Sequence, residues 1–224
     1  MSNRIIALCG ALALTGALAT SANAIILNPG DSGTVDGFAL GSVGVDYNIL
    51  AQNSQDITGV NALGHVRFTG ILETFVLQET ATGDLDFVYD YYNNPNSIDS
   101  PSRVTVTGFQ GWTTNVQYIT DHEPSNLAST FIQPHTANRS NDGDEIGFTF
   151  DTVANGGYGL IAPNTVSMYM AVRTNATAFT DQGTTSIIDG AVGTVQTYSP
   201  VPEPASIAVL GLGALGLLVR RRRS

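Results

Sequence analysis

The sequence contains no lysine: all nine of its basic residues are arginines, set against nineteen carboxylates. Without lysine there is no amine for Schiff-base chemistry and no flexible ammonium whose pKa could be lowered to make a base. The shortage of cations is uneven along the chain. All nineteen acidic residues lie between Asp31 and Glu203, where the only bases are Arg67, Arg103, Arg139 and Arg173, so four charges against nineteen give that region a formal charge of −15. A body of this sign repels phosphate backbones, which argues against nucleic acid as a partner. The acidity itself reads as solubility outside the cell. Cysteine is almost as scarce. The single one, Cys9, sits in the N-terminal apolar segment, so a body without that segment has no thiol, no disulfide and no cysteine-based metal site. Cys9 also stands at the start of the apolar run, which excludes a lipoprotein reading of Leu8-Cys9-Gly10. Helical periodicity is missing too: no stretch between residues 25 and 200 sustains ten residues of it, and no Gly-x-Ser-x-Gly elbow occurs.

Two apolar ends are present. "MSNRIIALCGALALTGALATSANA" has a positive start at Arg4, an apolar core from Ile5 to about Leu18 and a small-residue ending at Ala22-Asn23-Ala24. This is the three-part pattern of a secretory signal peptide over residues 1–24, with Ala22 and Ala24 offered to signal peptidase and cleavage after Ala24. At the other end Ala205 to Val219 is an uninterrupted apolar run followed by Arg220, Arg221, Arg222 and Arg223. As a helix the run spans about 22 Å, short of the roughly 30 Å hydrocarbon core. It reads as a short transmembrane helix acting as a stop-transfer signal, with the arginines held on the cytoplasmic side and the body outside. "GLGALG", Gly211 to Gly216, fits the spacing of a dinucleotide loop but lies inside this run, eight residues from the last residue, with no acidic ribose partner to follow.

Pro202-Glu203-Pro204, the apolar run and the arginine cluster, in that order, resemble the PEP-CTERM sorting signal of Gram-negative bacteria. The resemblance covers about the last twenty-four residues. It implies recognition by an exosortase, a membrane protease-transpeptidase acting near Pro202, Glu203 and Pro204. It also implies an inner-membrane intermediate and then residence at the cell surface or in the extracellular matrix. Two prolines keep such a segment extended and accessible. The alternative for the same residues is a permanent membrane anchor. Proteins of many kinds carry this tail, so it implies nothing about the activity of residues 25–199.

That middle region alternates with period two. In "LDFVYDYY" Leu85, Phe87, Tyr89 and Tyr91 fall on one face and Asp86, Val88, Asp90 and Tyr92 on the other. Residues 65–92 are expected to form two antiparallel strands, the first bent or bulged near Gly70, joined by a turn at Thr82-Gly83-Asp84. "RVTVTGF", "TNVQYIT", "EIGFTF", "TVSMYMAVRT" and "AVGTVQTYS" are further strands. Eight to eleven strands without intervening helices predict an all-β fold, an antiparallel β-sandwich or jelly-roll-like domain over residues 25–199. "GDLDFVYDYYNN", "NRSNDGDEIGFTF" and "MAVRTNATAF…IIDGAVGTVQTYSP" also resemble a recurring ectodomain of PEP-CTERM proteins, which supports the fold and implies no site.

Catalytic constellations are sparse, and none is assigned. Asp121-His122-Glu123 with His135 combines groups that bind metals or act as bases, but the spacing matches no zinc motif. Asp142, Asp144 and Glu145 in "NDGDE" are the candidates for calcium, although the sequence lacks an EF-hand pattern and Asp-Gly is a good turn by itself. No cofactor is therefore expected, calcium being the one open option. Asp84 and Asp86 would serve glycoside hydrolysis only across a cleft. Among aromatics suited to sugar binding, Trp112 leads, followed by Tyr91, Tyr92, Tyr118 and Tyr158. His65 is expected on a strand with no special role. The chain is thus expected to be an exported, non-enzymatic surface or matrix protein. Two alternatives stay open: a carbohydrate-binding or adhesin-like module on extracellular polysaccharide, and a secreted hydrolase centred on Asp121, His122 and His135.

Overall fold

A computed structural model describes residues 25–124 and 130–201. The expected signal peptide with Ala22 and Ala24, the motif Pro202-Glu203-Pro204, the apolar run and Arg220 to Arg223 lie outside the described residues. Among the described residues no helix is long and apolar enough to cross a membrane.

The architecture is all-β. In chain order the strands are β1 (Ile25–Ile26), β2 (Ser32–Thr34), β3 (Gly37–Phe38), β4 (Tyr47–Asn61), β5 (Val66–Glu79), β6 (Leu85–Asn93), β7 (Arg103–Val106) and β8 (Thr114–Ile119). There follow β9 (Phe131–Ile132), β10 (Thr136–Arg139), β11 (Ile146–Thr149), β12 (Thr165–Ser167), β13 (Met170–Thr174), β14 (Phe179–Ile188) and β15 (Ala191–Pro200). They form one sheet in the order β1-β8-β13-β6-β5-β4-β15-β14-β7-β11-β10-β2, antiparallel except where β3 runs beside β8 and β12 beside β9. The first and last strands of that order are β1 and β2, consecutive in sequence, so the sheet curls almost closed round one core.

The expected hairpin is present as β5 and β6. Glu79 N–H donates to Asp84 O and Gly83 N–H to Glu79 O, with Gly83 at φ +81°, which only glycine adopts without strain. The bulge is not at Gly70. Register slips three residues earlier, where Val60 faces Val66 and Gly59 faces Phe68, leaving Arg67 unpaired. Gly70 answers a different need: a Cβ there would lie 2.2 Å from Tyr92 O and 2.4 Å from the Tyr91 ring. "TVSMYMAVRT" is interrupted at Met168-Tyr169 and gives two strands, β12 and β13. Two long strands, β4 and β14, carry too many polar residues to be expected as strands. β4 is held by β5 along its length and meets β15 only at Asn61–Ala191 and Val60–Val192. Beyond that point side chains span the gap, with Gln55 Nε2 donating to Gln196 O at 2.7 Å and Tyr198 Oη to Gln52 O at 3.4 Å.

The core lies inside the curl. Phe68, Leu72, Val76, Phe87, Tyr89 and Tyr91 from one half meet Val104, Val106, Phe148 and Ile187 from the other. The two ends of the curl are tied by Arg139, which is 4% exposed. From β10 its Nε donates to Gly143 O (2.9 Å). Its Nη1 donates to Leu27 O (2.9 Å) and Thr114 Oγ1 (3.0 Å), and its Nη2 to Phe109 O (2.7 Å) and Trp112 O (2.9 Å). All five guanidinium N–H groups are used, four of them on backbone carbonyls. Arg139 thereby joins β10 to β8 and to the chain following β1. Replacing Arg139 with Leu strands those buried acceptors and is expected to lower unfolding free energy by about 3–5 kcal/mol. Arg103→Leu, at a half-buried surface pair, should cost about 1 kcal/mol or less. Urea denaturation of both variants checks this; equal losses would show that Arg139 is not the tie.

Candidate functional site

Period-two alternation leaves one face of β6 in the core and turns Asp86, Val88, Asp90 and Tyr92 outward, yet every residue of β6 is buried. The cover comes from the loop before β4 and the segment after β8. β3 lies beside Tyr118 and Ile119, and the chain then crosses the outer face to reach Tyr47. Phe38, Leu40 and Tyr47 pack over Leu77, Val88, Ile119 and Ala171 as a second, smaller apolar cluster. This cover leaves a cavity of about 210 Å³. Phe75, Leu77 and Val88 form its floor, while Leu40, Val43, Tyr47, His122 and Tyr169 are among its walls. Phe75 and Tyr169 meet edge to face at 5.7 Å.

A chain of three polar groups borders the cavity. Asp121 accepts N–H bonds from Leu40 and Gly41, both at 2.8 Å, and lies 3.0 Å from His122 Nδ1. On the other side of the ring, Nε2 is 3.2 Å from Tyr47 Oη. Burial pushes the Asp121 carboxyl upward, but the N–H bonds from Gly41 and Leu40 and the contact with His122 outweigh it and hold the group below the usual carboxylate range. Tyr47 is pushed up, by burial first and Asp121 second. With the ring neutral, hydrogen bonding to the carboxylate keeps the proton on Nδ1 and leaves Nε2 to accept the Tyr47 O–H. The arrangement orients a tyrosine oxygen; among the described residues it contains no serine, threonine or cysteine nucleophile.

Asp121 and His122 are thus brought together, but the rest of that sequence cluster is dispersed. Glu123 is exposed, and His135 pairs with Asp151 (Nδ1 to Oδ2, 2.9 Å). The glycosidase pair is not arranged across a cleft. Asp84 closes the β5–β6 turn, whereas Asp86 is buried on β6, 3.4 Å from Arg173 Nε. Arg173 also contacts Glu79 and lies with its Cζ 5.1 Å from the centre of the Phe38 ring. Burial pushes the Asp86 carboxyl up to about 7, with Arg173 opposing and Glu79 adding to the rise.

The oxygen-rich turn is bound up in its own structure. Asp142 accepts from Ser140 Oγ (2.6 Å) and Asp144 N–H (3.1 Å), Asp144 accepts from Gly108 N–H (3.2 Å), and Glu145 faces Arg103 at 3.5 Å. Among the described residues no group of three or more His, Cys, Asp or Glu converges as a metal would require. Trp112 is half-buried, its carbonyl engaged by Arg139; Tyr91 and Tyr92 are buried, Tyr118 is half-buried, and Tyr158 is 56% exposed. His65 stands in the turn before β5 rather than on it. Sequence reasoning missed Tyr47, Glu79 and Arg173. Tyr47 opens a strand too polar to be recognised, and the Arg173 contacts join residues far apart in the chain.

The Asp86 environment has a pH signature. Between about pH 4 and 7 the folded protein holds a proton that the unfolded chain releases, so this carboxyl lowers stability as pH rises across that window. Asp86→Asn removes that contribution. Relative to the unsubstituted protein, the variant is expected to gain about 2–4 kcal/mol between pH 4 and pH 7.5. Denaturation at several pH values checks this, and a pH-independent difference would contradict it.

The family model described as the PEP-CTERM protein-sorting motif matches residues 200–223. No curated protein matches the chain, and no solved structure does. The matched residues start where β15 ends and contain Pro202, Glu203, Pro204 and the four arginines, so this chain is one that carries a PEP-CTERM protein-sorting motif, at residues 200–223.

Proposed function

We propose that this is an exported, non-enzymatic protein of the cell surface or extracellular matrix: an all-β body, one sheet curled almost closed, delivered by its tail and released from the membrane by an exosortase. The match at residues 200–223 carries this reading. The geometry of the body is consistent with delivery from a membrane. Ile26 pairs with Asn115, which pairs with Arg173, and Val201 N–H donates to Ala178 O. Both ends of the described body therefore meet the connection between β13 and β14, so the precursor would hold this one pole towards the bilayer. The other pole, with the β4–β5 and β14–β15 turns, would face outward. The intact mass of the protein from membrane, surface and medium fractions of its host tests the reading. The expected species starts at Ile25 and ends between Pro202 and Pro204. A mass extending to Ser224 and confined to membranes would make the tail a permanent anchor.

A second reading, attachment to neutral extracellular polysaccharide, is favoured by the outer face of the other half of the sheet. Cross-strand register aligns Ser32, Asn138, Gly147, Thr105, Ser186 and Thr194 in one row over six strands. Ser32, Asn138, Ser186 and Thr194 of this row offer hydroxyl and amide groups, while Thr105 is buried and the Arg103 guanidinium, paired with Glu145, lies over Gly147. Ser186→Glu with Thr194→Glu should then reduce retention on matrix polysaccharide at least tenfold, measured by co-sedimentation; unchanged retention would remove this face from the reading.

A further inference from the structure

The cavity on the outer face of β5 and β6 is built in a way that the sorting role does not require. An outward sheet face normally alternates polar groups into solvent. Here Phe75, Leu77 and Val88 form a floor under a loop that ends at Tyr47. At about 210 Å³ the space exceeds the roughly 150 Å³ cavity that holds benzene, so one substituted aromatic ring fits. The Phe75, Tyr169, Tyr47 and His122 rings offer the edge-to-face contacts that such a ring prefers.

The polar border sets what the ring must carry. Asp121 holds the proton of the neutral His122 ring on Nδ1, and Nε2 accepts a hydrogen bond from the Tyr47 hydroxyl. Tyr47 has then spent its only donor, and its oxygen can only accept. A guest must therefore bring an O–H or N–H. An anion is disfavoured, because Asp121 and Asp46 flank these walls and Arg173, the nearby cation, is already engaged by Glu79 and Asp86. The geometry points to a binding site for a small neutral or cationic aromatic molecule with one hydrogen-bond donor, the class of phenol and aromatic amines, seated on Phe75 and Val88 with its donor on Tyr47 Oη.

Three probes of similar size separate the terms: phenol, anisole, which lacks the donor, and benzoate, which is anionic. Each is titrated into the protein recovered from its host and followed by ligand-observed NMR. Phenol is expected to bind saturably at one site, anisole about tenfold more weakly, and benzoate more weakly still. In the double variant Tyr47→Phe with His122→Leu the hydroxyl and the imidazole at that end are gone and Asp121 stays engaged by the Leu40 and Gly41 N–H groups, so phenol should fall to the level of anisole. Tyr47→Phe alone is less informative, because a phenol hydroxyl can replace the lost one on Nε2. A Val43→Trp variant, altered at a wall residue that is 57% exposed, should weaken all three probes by partly filling the cavity. Absence of saturable phenol binding, equal binding of phenol and anisole, or a phenol preference that survives the double substitution would each overturn the proposal.

Discussion

A sheet that curls on itself must join its two ends, and in this protein one guanidinium makes that join. Arg139 is buried without any carboxylate, its charge spread over four carbonyls and one hydroxyl contributed by three separate stretches of chain. A lysine could not do this, since its three donors on a flexible stem do not match a planar array of acceptors. The segment from β1 to β2 passes through the same place, and Gly30 N–H donates to Arg139 O. The large apolar residues of both halves can then meet across one interior. Removing solvent from that interior is what strengthens the guanidinium contacts in turn.

Curling also creates two outer faces of different character. One presents a row of hydroxyl and amide groups; the other is covered by the loop before β4 and holds an apolar cavity. The covered face explains how β6 buries aspartates on its outward side. Asp86 stays there because Arg173 lies beside it, and Arg173 is positioned by Glu79 and by the ring of Phe38. On the same face, Asp121 serves as the anchor for the crossing loop through Leu40 and Gly41, and it also orients His122 towards Tyr47. A loop tether and a polar relay are thus one construction.

Legibility from the sequence followed the physics of each element. The β5–β6 hairpin was readable, because strict alternation is flanked by Thr-Gly-Asp. β4 was not, because its stability comes from a neighbouring strand, which polar side chains such as Asn48, Gln52 and Gln55 do not advertise. Gly70 was noticed for the wrong reason: it reads as a bend, but it is needed where Tyr91 crosses the backbone. Of the cluster Asp121-His122-Glu123 with His135, only the adjacent pair acts together, since proximity in sequence guarantees no shared cavity and the distant histidine found Asp151.

Composition and order alone determined the all-β class, the acidic lysine-free surface and the sorting motif at residues 200–223. These depend on local periodicity, on charge and on a linear motif whose match needs no tertiary contact. Tertiary structure decided what sequence spacing cannot encode: the closure of the curl by Arg139, the lifting of the Asp86 carboxyl by burial beside Arg173, and the meeting of Tyr47 with His122 seventy-five residues away. Each of these is a contact between distant segments, fixed only when the sheet register brings them within hydrogen-bonding reach and shuts water out.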